Sequence, residues 1–319
     1  MLRIPFIKKK KIVCIGGGNA MTKTTLPGLK DKNVELTVVS AVLDSGGSSG
    51  RLRKDYDIIS PGDVRRAFLA LASLPEEVKK IIDYRFPYGS LEKHNLGNLF
   101  FVAMYLRKGG YKSLFADMNM FLGDHRILPS TVHKADLVAI LENGDEIVGE
   151  HNIDVPKHDT SLMIKKLFLR PRVTACPQTI KRIGKADMVI IGPGDIYSSL
   201  MQVLLVDGTP EAIRASKAKK VYVCNLMTKD GESNGFTVAD FTREVENCLK
   251  CPLDYVIFNT NFPGQERIDE YRKNHPQFLE MVKYEGLVKE KKYVGVDLLP
   301  EDGEIVHDPE KLAKILLKL

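Results

Sequence analysis

Apolar residues in this chain gather in short, dense runs. KIVCI (Lys11–Ile15), VELTVVSAVL (Val34–Leu43), DMVII (Asp187–Ile191), KVYVCNL (Lys220–Leu226) and YVIFN (Tyr255–Asn259) are nearly continuous in apolar and β-branched residues. That pattern predicts strands of a parallel sheet covered on both faces. Between the runs lie helical stretches: NAMTKTTLPGLK, a segment opening at Ser60 with the apolar face Phe68, Leu69, Leu71 and Leu74, and further helices over 75–86, 99–108, 111–122, 177–186, 211–217, 240–249 and 310–317, while 265–274 and 293–298 complete the domain. From Asp136 the period becomes two, and DLVAILENGDEIVGEHNID predicts a hairpin turning at Asn143–Gly144, within an antiparallel insert over about 136–169. ILPST at 127–131 is expected to be a loop or short turn. The whole predicts an α/β, Rossmann-like fold: a mostly parallel sheet with helices on both faces and a small antiparallel hairpin insert. A basic extension, 1–10, precedes a single domain over 11–319.

Three strand ends run into glycine. Gly16, Gly17 and Gly18 follow the first strand, DSGGSSGRLR (Asp44–Arg53) follows the second, and Gly192, Pro193, Gly194 and Asp195 follow DMVII. A strand, a glycine turn and a helix start present free N–H groups to phosphate, and a right-handed βαβ unit sets the first two turns side by side. The third glycine of a dinucleotide fingerprint is Met21 here, which argues against a nicotinamide cofactor. The DSGGSSGRLR stretch buries little and is expected to be a loop. Gly46, Gly47 and Gly50 permit close approach, while Ser45, Ser48, Ser49, Arg51 and Arg53 offer donors, so it is suited to cradle a phosphate or sugar-phosphate; a flexible linker is the alternative. The GGG turn alone is equally consistent with a tight turn that holds no ligand.

Ser60, Pro61 and Asp63 form the signature of a capped helix start, with Asp63 closing a capping box or serving a ligand or metal. Arg65 or Arg66, one turn in, is placed to reach the same anion. Asn95 and Asn98 stand near another helix start, as caps or as ligand contacts. Asn225, Asn259 and Asn261 end strands at the edge where open α/β sheets bind ligands.

Composition narrows the classes. The 319 residues are 44% hydrophobic, with no apolar run long enough to span a membrane, and MLRIPFIKKKK lacks the apolar core of a secretory signal, so a cytoplasmic location is expected. Five cysteines, an odd number, suit reduced thiols, and the Cys248–Cys251 CxxC has no second pair to complete a zinc site. The net charge of +6, from 47 basic and 41 acidic residues, is dispersed without an aromatic-basic ladder, which argues against nucleic acid. No GxSxG or HExxH motif occurs, and His94, His125, His133, His151 and His158 fall in loops or the insert. A binding protein is expected more than a catalyst.

Taken together, GGG after the first strand, the DSGGSSGRLR stretch, PGDxRR, NLGN, ADxVIIGPG, SKAKKVYVCNLMT and HDPEKLA resemble the YvcK-type gluconeogenesis factors, which share the CofD-like fold with the 2-phospho-L-lactate transferases. The matches run in order from about residue 11 to the C-terminus. The resemblance implies a cytoplasmic regulator of carbon use, cell-wall synthesis and cell shape that binds a UDP-sugar such as UDP-N-acetylglucosamine, usually as a homodimer, with a protein partner in carbon or cell-wall metabolism. It places the ligand against Gly16–Asn19, Asp44–Arg51, Asp63, Arg65, Asn95, Asn98, Gly192, Pro193, Gly194, Asn225 and Tyr271. The transferase branch implies the alternative, a phosphotransferase using a nucleotide diphosphate donor, with Asp44 and Asp63 holding Mg²⁺. A scaffold with a vestigial pocket is the third. The chain departs from the family pattern at Asn19 and Ala20 after the GGG turn, at Ser45 where transferases carry a second Asp, and at Val306 before His307.

Overall fold

The five apolar runs and two further strands pair edge to edge into one parallel sheet. In the computed structural model, which describes residues 9–287 and 290–319, the strands are β1 (Lys10–Gly16), β2 (Val34–Ser40), β3 (Arg126–Pro129), β4 (Asp136–Leu141), β5 (Glu146–Val148), β6 (Ile164–Arg170), β7 (Met188–Ile191), β8 (Lys219–Val223), β9 (Met227–Lys229), β10 (Tyr255–Asn259), β11 (Phe278–Met281) and β12 (Tyr293–Val296). The main sheet runs β12-β10-β8-β7-β1-β2-β3, all pairs parallel. Its centre is dry: Ile12, Cys14, Ile15, Val39, Ile190 and Val223 are fully buried, as continuous apolar strands require when helices cover both faces.

The 127–131 stretch corrects the expected loop. Arg126–Pro129 forms β3 at the sheet edge, pairing Thr37 with Arg126 and Ser40 with Pro129. Four residues are too few to show a period, and an edge position tolerates the proline. The expected hairpin is present as β4 and β5, with β6 added on the other side of β4, so the insert is a three-stranded antiparallel sheet in the order β5-β4-β6. A short helix, Glu150–Asp154, joins β5 to β6.

NAMTKTTLPGLK is two helices, Gly18–Lys23 and Thr25–Lys30, broken at Thr24, where φ is −123°. The second packs against the closing helix Pro309–Lys318, whose start is capped by Asp308 accepting from the Lys311 N–H. The two helices approach so closely that a Cβ at Gly28 would stand 2.2 Å from the Pro309 carbonyl oxygen. No helix among the described residues is long and apolar enough to cross a membrane.

Candidate functional site

Strand order reverses at β1, which has β2 on one side and β7 on the other. Loops leaving the carboxyl ends of β1 and β7 therefore diverge and leave a crevice. A cavity of about 890 Å³ opens there. Of the residues singled out from sequence, Gly18, Asn19, Asp44, Gly46, Gly47, Ser48, Ser49, Asp63, Arg65, Asn98, Pro193, Gly194, Asn225 and Tyr271 line it. Gly16, Gly17, Ser45, Gly50, Arg51, Asn95 and Gly192 do not. Asn95 caps the Leu96–Lys108 helix, accepting from the Gly97 and Asn98 N–H groups, and Ser45 accepts from the His151 N–H of the insert.

The DSGGSSGRLR stretch is not a loop. Gly47–Asp55 is a helix whose N-cap is Gly46 and whose start no side chain caps. Its glycines and serines have poor helix propensity, and tertiary contacts override it. Asn98 Nδ2 donates to the Ser48 and Ser49 hydroxyls at 3.2 and 3.3 Å, and Gly62 lies so near that a Cβ there would meet Ser49 Oγ at 2.5 Å. The first-turn N–H groups of Gly47, Ser48 and Ser49, which have no intrahelical partner by geometry, find no acceptor among the described residues. Helical winding turns Arg51 out to solvent, where it donates to the Glu92 carbonyl at 2.8 Å, so it is removed from the cradle. Arg53 instead reaches the Ala135 carbonyl and Asp136, fastening the insert.

The helix starts after the other two glycine turns each hold a carboxylate of the protein's own. The Gly18 N–H donates to Asp63 Oδ1 at 3.0 Å, and Arg66 Nε holds the same oxygen at 3.0 Å. A Cβ at Gly17 would stand 2.0 Å from Asp63 Oδ2, so this carboxylate occupies the turn. Asp63 accordingly closes no capping box; the helix there, Gly62–Leu71, has Pro61 at its N-cap and no side-chain cap. After β7, a π-helical turn spans Ile196–Met201, and Glu232 Oε2 accepts the Tyr197 and Ser198 N–H groups at 3.1 Å each. Lys229 Nζ backs that carboxylate at 2.8 Å.

Five buried polar atoms on cavity-lining residues lack hydrogen-bond partners among the described residues: Arg65 Nε and Nη1, Asn98 Oδ1, Ser199 Oγ and Asn225 Oδ1. Arg65 is the most costly. It is 7% exposed, Asp83 lies 3.4 Å from its Nε without hydrogen-bond alignment, and burial pulls its pKa down to about 10. A desolvated cation with an idle donor beside an uncapped helix start is a site shaped for an anion. Two carboxyls lie beside the same helix start: Asp44 Oδ1 accepts the Gly46 N–H at 2.7 Å, and Glu150 Oε2 accepts the Ser45 N–H at 3.3 Å. Burial and the Asp44 charge push Glu150 up to about 10, and burial likewise raises Asp44, so these two hydrogen-bonded carboxyls share a proton at neutral pH. Tyr271, raised to about 12 by burial, stacks on Phe278 with centroids 6.0 Å apart. His307 is pushed down to about 4 by burial, so it is neutral and donates from Nε2 to the Cys224 carbonyl at 3.1 Å.

Glu150, Lys229, Glu232, Arg85 and His307 line or brace the site beyond the residues singled out from sequence. Lys229 and Glu232 sit in MTKDGESNGF, at the carboxyl end of a strand where ligands gather, which was the available signal. Asp63 gives Oδ1 to Arg66 and the Gly18 N–H, and Asp44 gives Oδ1 to the Gly46 N–H and is hydrogen-bonded to Glu150, so a Mg²⁺ held between them would have only Oδ2 of each to bind.

The 2-phospho-L-lactate transferase CofD family matches residues 12–300. The chain belongs to the CofD family. Within this family, a Thermotoga maritima relative carrying the gluconeogenesis-factor name is 38% identical over 97% of this chain and 99% of its own. The gluconeogenesis factor of Bacillus subtilis is 33% identical over 98% of both chains. A solved structure of a UPF0052-family protein from Bacillus halodurans superposes with a TM-score of 0.89 at 31% identity, covering 98% of this chain and 100% of that one.

Proposed function

We propose that this CofD-family protein is a cytoplasmic gluconeogenesis factor that binds a UDP-linked sugar, such as UDP-N-acetylglucosamine, in the crevice as a regulatory signal and does not turn it over. The observation that carries this is Arg65, buried, unsatisfied and adjacent to the open start of the Gly47–Asp55 helix. A diphosphate supplies the missing acceptors, and the carboxyls and hydroxyls that line the cavity suit sugar hydroxyls. The cavity volume of about 890 Å³ is in the range of small-molecule sites. The gluconeogenesis-factor names of the relatives support a role in carbon metabolism. The ligand-bound form, as a homodimer, then engages a protein partner that controls carbon use, cell-wall synthesis and cell shape.

Calorimetric titration with UDP-N-acetylglucosamine, UDP and GDP tests the reading. Losing one charge-assisted hydrogen bond costs roughly 1.5 to 3 kcal/mol, so Arg65→Ala should weaken UDP-sugar binding about 10- to 150-fold. Unchanged affinity in folded Arg65→Ala would remove the anion assignment. The match to the transferase family favours a second reading, phosphoryl-group transfer from a nucleotide donor. Turnover of a nucleotide diphosphate donor in the presence of a deazaflavin acceptor would replace the first reading with it.

A further inference from the structure

Beyond the anion wall, one buried cluster joins three separate elements around the cavity. Asp154 comes from the insert helix, Asp195 from the turn after β7, and Glu232 from the loop after β9. One oxygen from each lies within 4.8 Å of the others, a spacing that suits a divalent ion. The position is filled by Lys229. Its side chain is 4% exposed, and Nζ stands 2.5 Å from Asp154 Oδ1, 2.9 Å from Asp195 Oδ2 and 2.8 Å from Glu232 Oε1. An ammonium has three protons, and each finds one carboxylate here.

Glu232 is also held by further donors. Glu232 Oε2 takes two backbone N–H groups, Ser198 Oγ donates to Glu232 Oε1 at 2.7 Å, and the Lys229 N–H donates to Ser233 Oγ at 2.9 Å. A metal could enter only by expelling the lysine. A buried lysine so placed also fastens Asp154, and with it the insert, against the sheet edge.

We propose that Lys229 is the resident cation of this crevice: its ammonium takes the position a divalent metal would hold among Asp154, Asp195 and Glu232, so ligand binding there is independent of Mg²⁺. The ligand half of this statement rests on the UDP-sugar reading above. The cation half stands on the protein alone.

The test titrates the full-length, chelator-stripped protein with Mn²⁺, following the free ion by electron paramagnetic resonance. The wild type should take up no Mn²⁺ in the micromolar range, whereas Lys229→Ala should gain one such site and be stabilised against heat by the ion. Lys229→Gln, which keeps the side-chain volume, serves if the alanine variant does not fold, and should gain a weaker site. A tight Mn²⁺ site in the wild type would overturn the proposal, as would folded Lys229 variants that gain none. In the second arm, affinity for UDP-N-acetylglucosamine should be the same within about twofold in EDTA and in Mg²⁺. A tenfold or larger dependence on Mg²⁺ would overturn it. If the wild type binds no nucleotide sugar, the functional reading fails while the Mn²⁺ arm still decides the role of Lys229.

Discussion

Two helix starts face the same crevice and carry similar sequences, yet they differ in kind. Both follow a parallel strand, both are rich in glycine, and both place two serines in the first turn, Ser48 and Ser49 in one, Ser198 and Ser199 in the other. The Gly47–Asp55 start is uncapped and looks onto the buried, unsatisfied Arg65. The Ile196–Met201 start is filled by Glu232, itself neutralised by Lys229. The GGG turn resembles the second case, with Asp63 and Arg66 as carboxylate and cation. The starts thus differ in which N–H groups a carboxylate of the protein takes: Gly18 at the first turn, Gly46 ahead of the Gly47–Asp55 helix, and Tyr197 and Ser198 within the third, and such a carboxylate can lie tens of residues away in sequence.

Displacing the Asp63 and Glu232 carboxylates should break the fold before it touches binding. Gly17→Ala forces a methyl onto Asp63 and separates a buried ion pair, so it should cost about 3 kcal/mol or more, read as a fall in the urea midpoint. Glu232→Ala strands the Tyr197 and Ser198 N–H groups and leaves Lys229 with two acids, and should cost about 2 to 3 kcal/mol in the same assay. If either variant were as stable as wild type, the carboxylates would not be structural.

A smaller effect concerns the Asp44–Glu150 pair. Glu150 has a folded-state pKa of about 10 against an ordinary 4.5, so the folded protein holds a proton that the unfolded chain releases. Its neutral form is favourable below pH 4.5, and that stability is lost as pH rises toward the folded value. Glu150→Gln cannot ionise. Its melting temperature should match wild type near pH 4.5 and exceed it by a few degrees at pH 8. A difference that shrinks with rising pH would contradict the shared-proton pair. Smallest of all, Arg51→Ala should leave UDP-sugar affinity within about twofold, because the side chain faces solvent. A loss like that expected for Arg65→Ala would return Arg51 to the cradle.

The parallel strands were legible because burial on both faces leaves continuous apolar runs, and YVIFN fell at Tyr255–Asn259 as expected. The hairpin announced itself through Asn143–Gly144. The DSGGSSGRLR stretch misled because Gly and Ser favour loops locally, whereas Asn98, Gly62 and Ser49 hold it as helix through contacts remote in sequence. Likewise PGDVRR carries the signs of a capping box, but Asp63 is drawn instead to the Gly18 N–H across the crevice. Gathering at the strand ends brings most of the candidate residues onto the cavity wall. Which N–H groups were free could not be read, since Glu232 and Lys229 act on a turn far from their own position.

The central claim is that the open helix start, and not the glycine turns, receives the anion. The crystal structure of the complex with UDP-N-acetylglucosamine tests it directly. The account predicts diphosphate oxygens within hydrogen-bonding distance of the Gly47–Ser49 N–H groups and Arg65, with Asp63 and Glu232 still seated in their turns. A diphosphate bound at the Gly16–Gly18 or Gly192–Gly194 turn, with either carboxylate displaced, would contradict it.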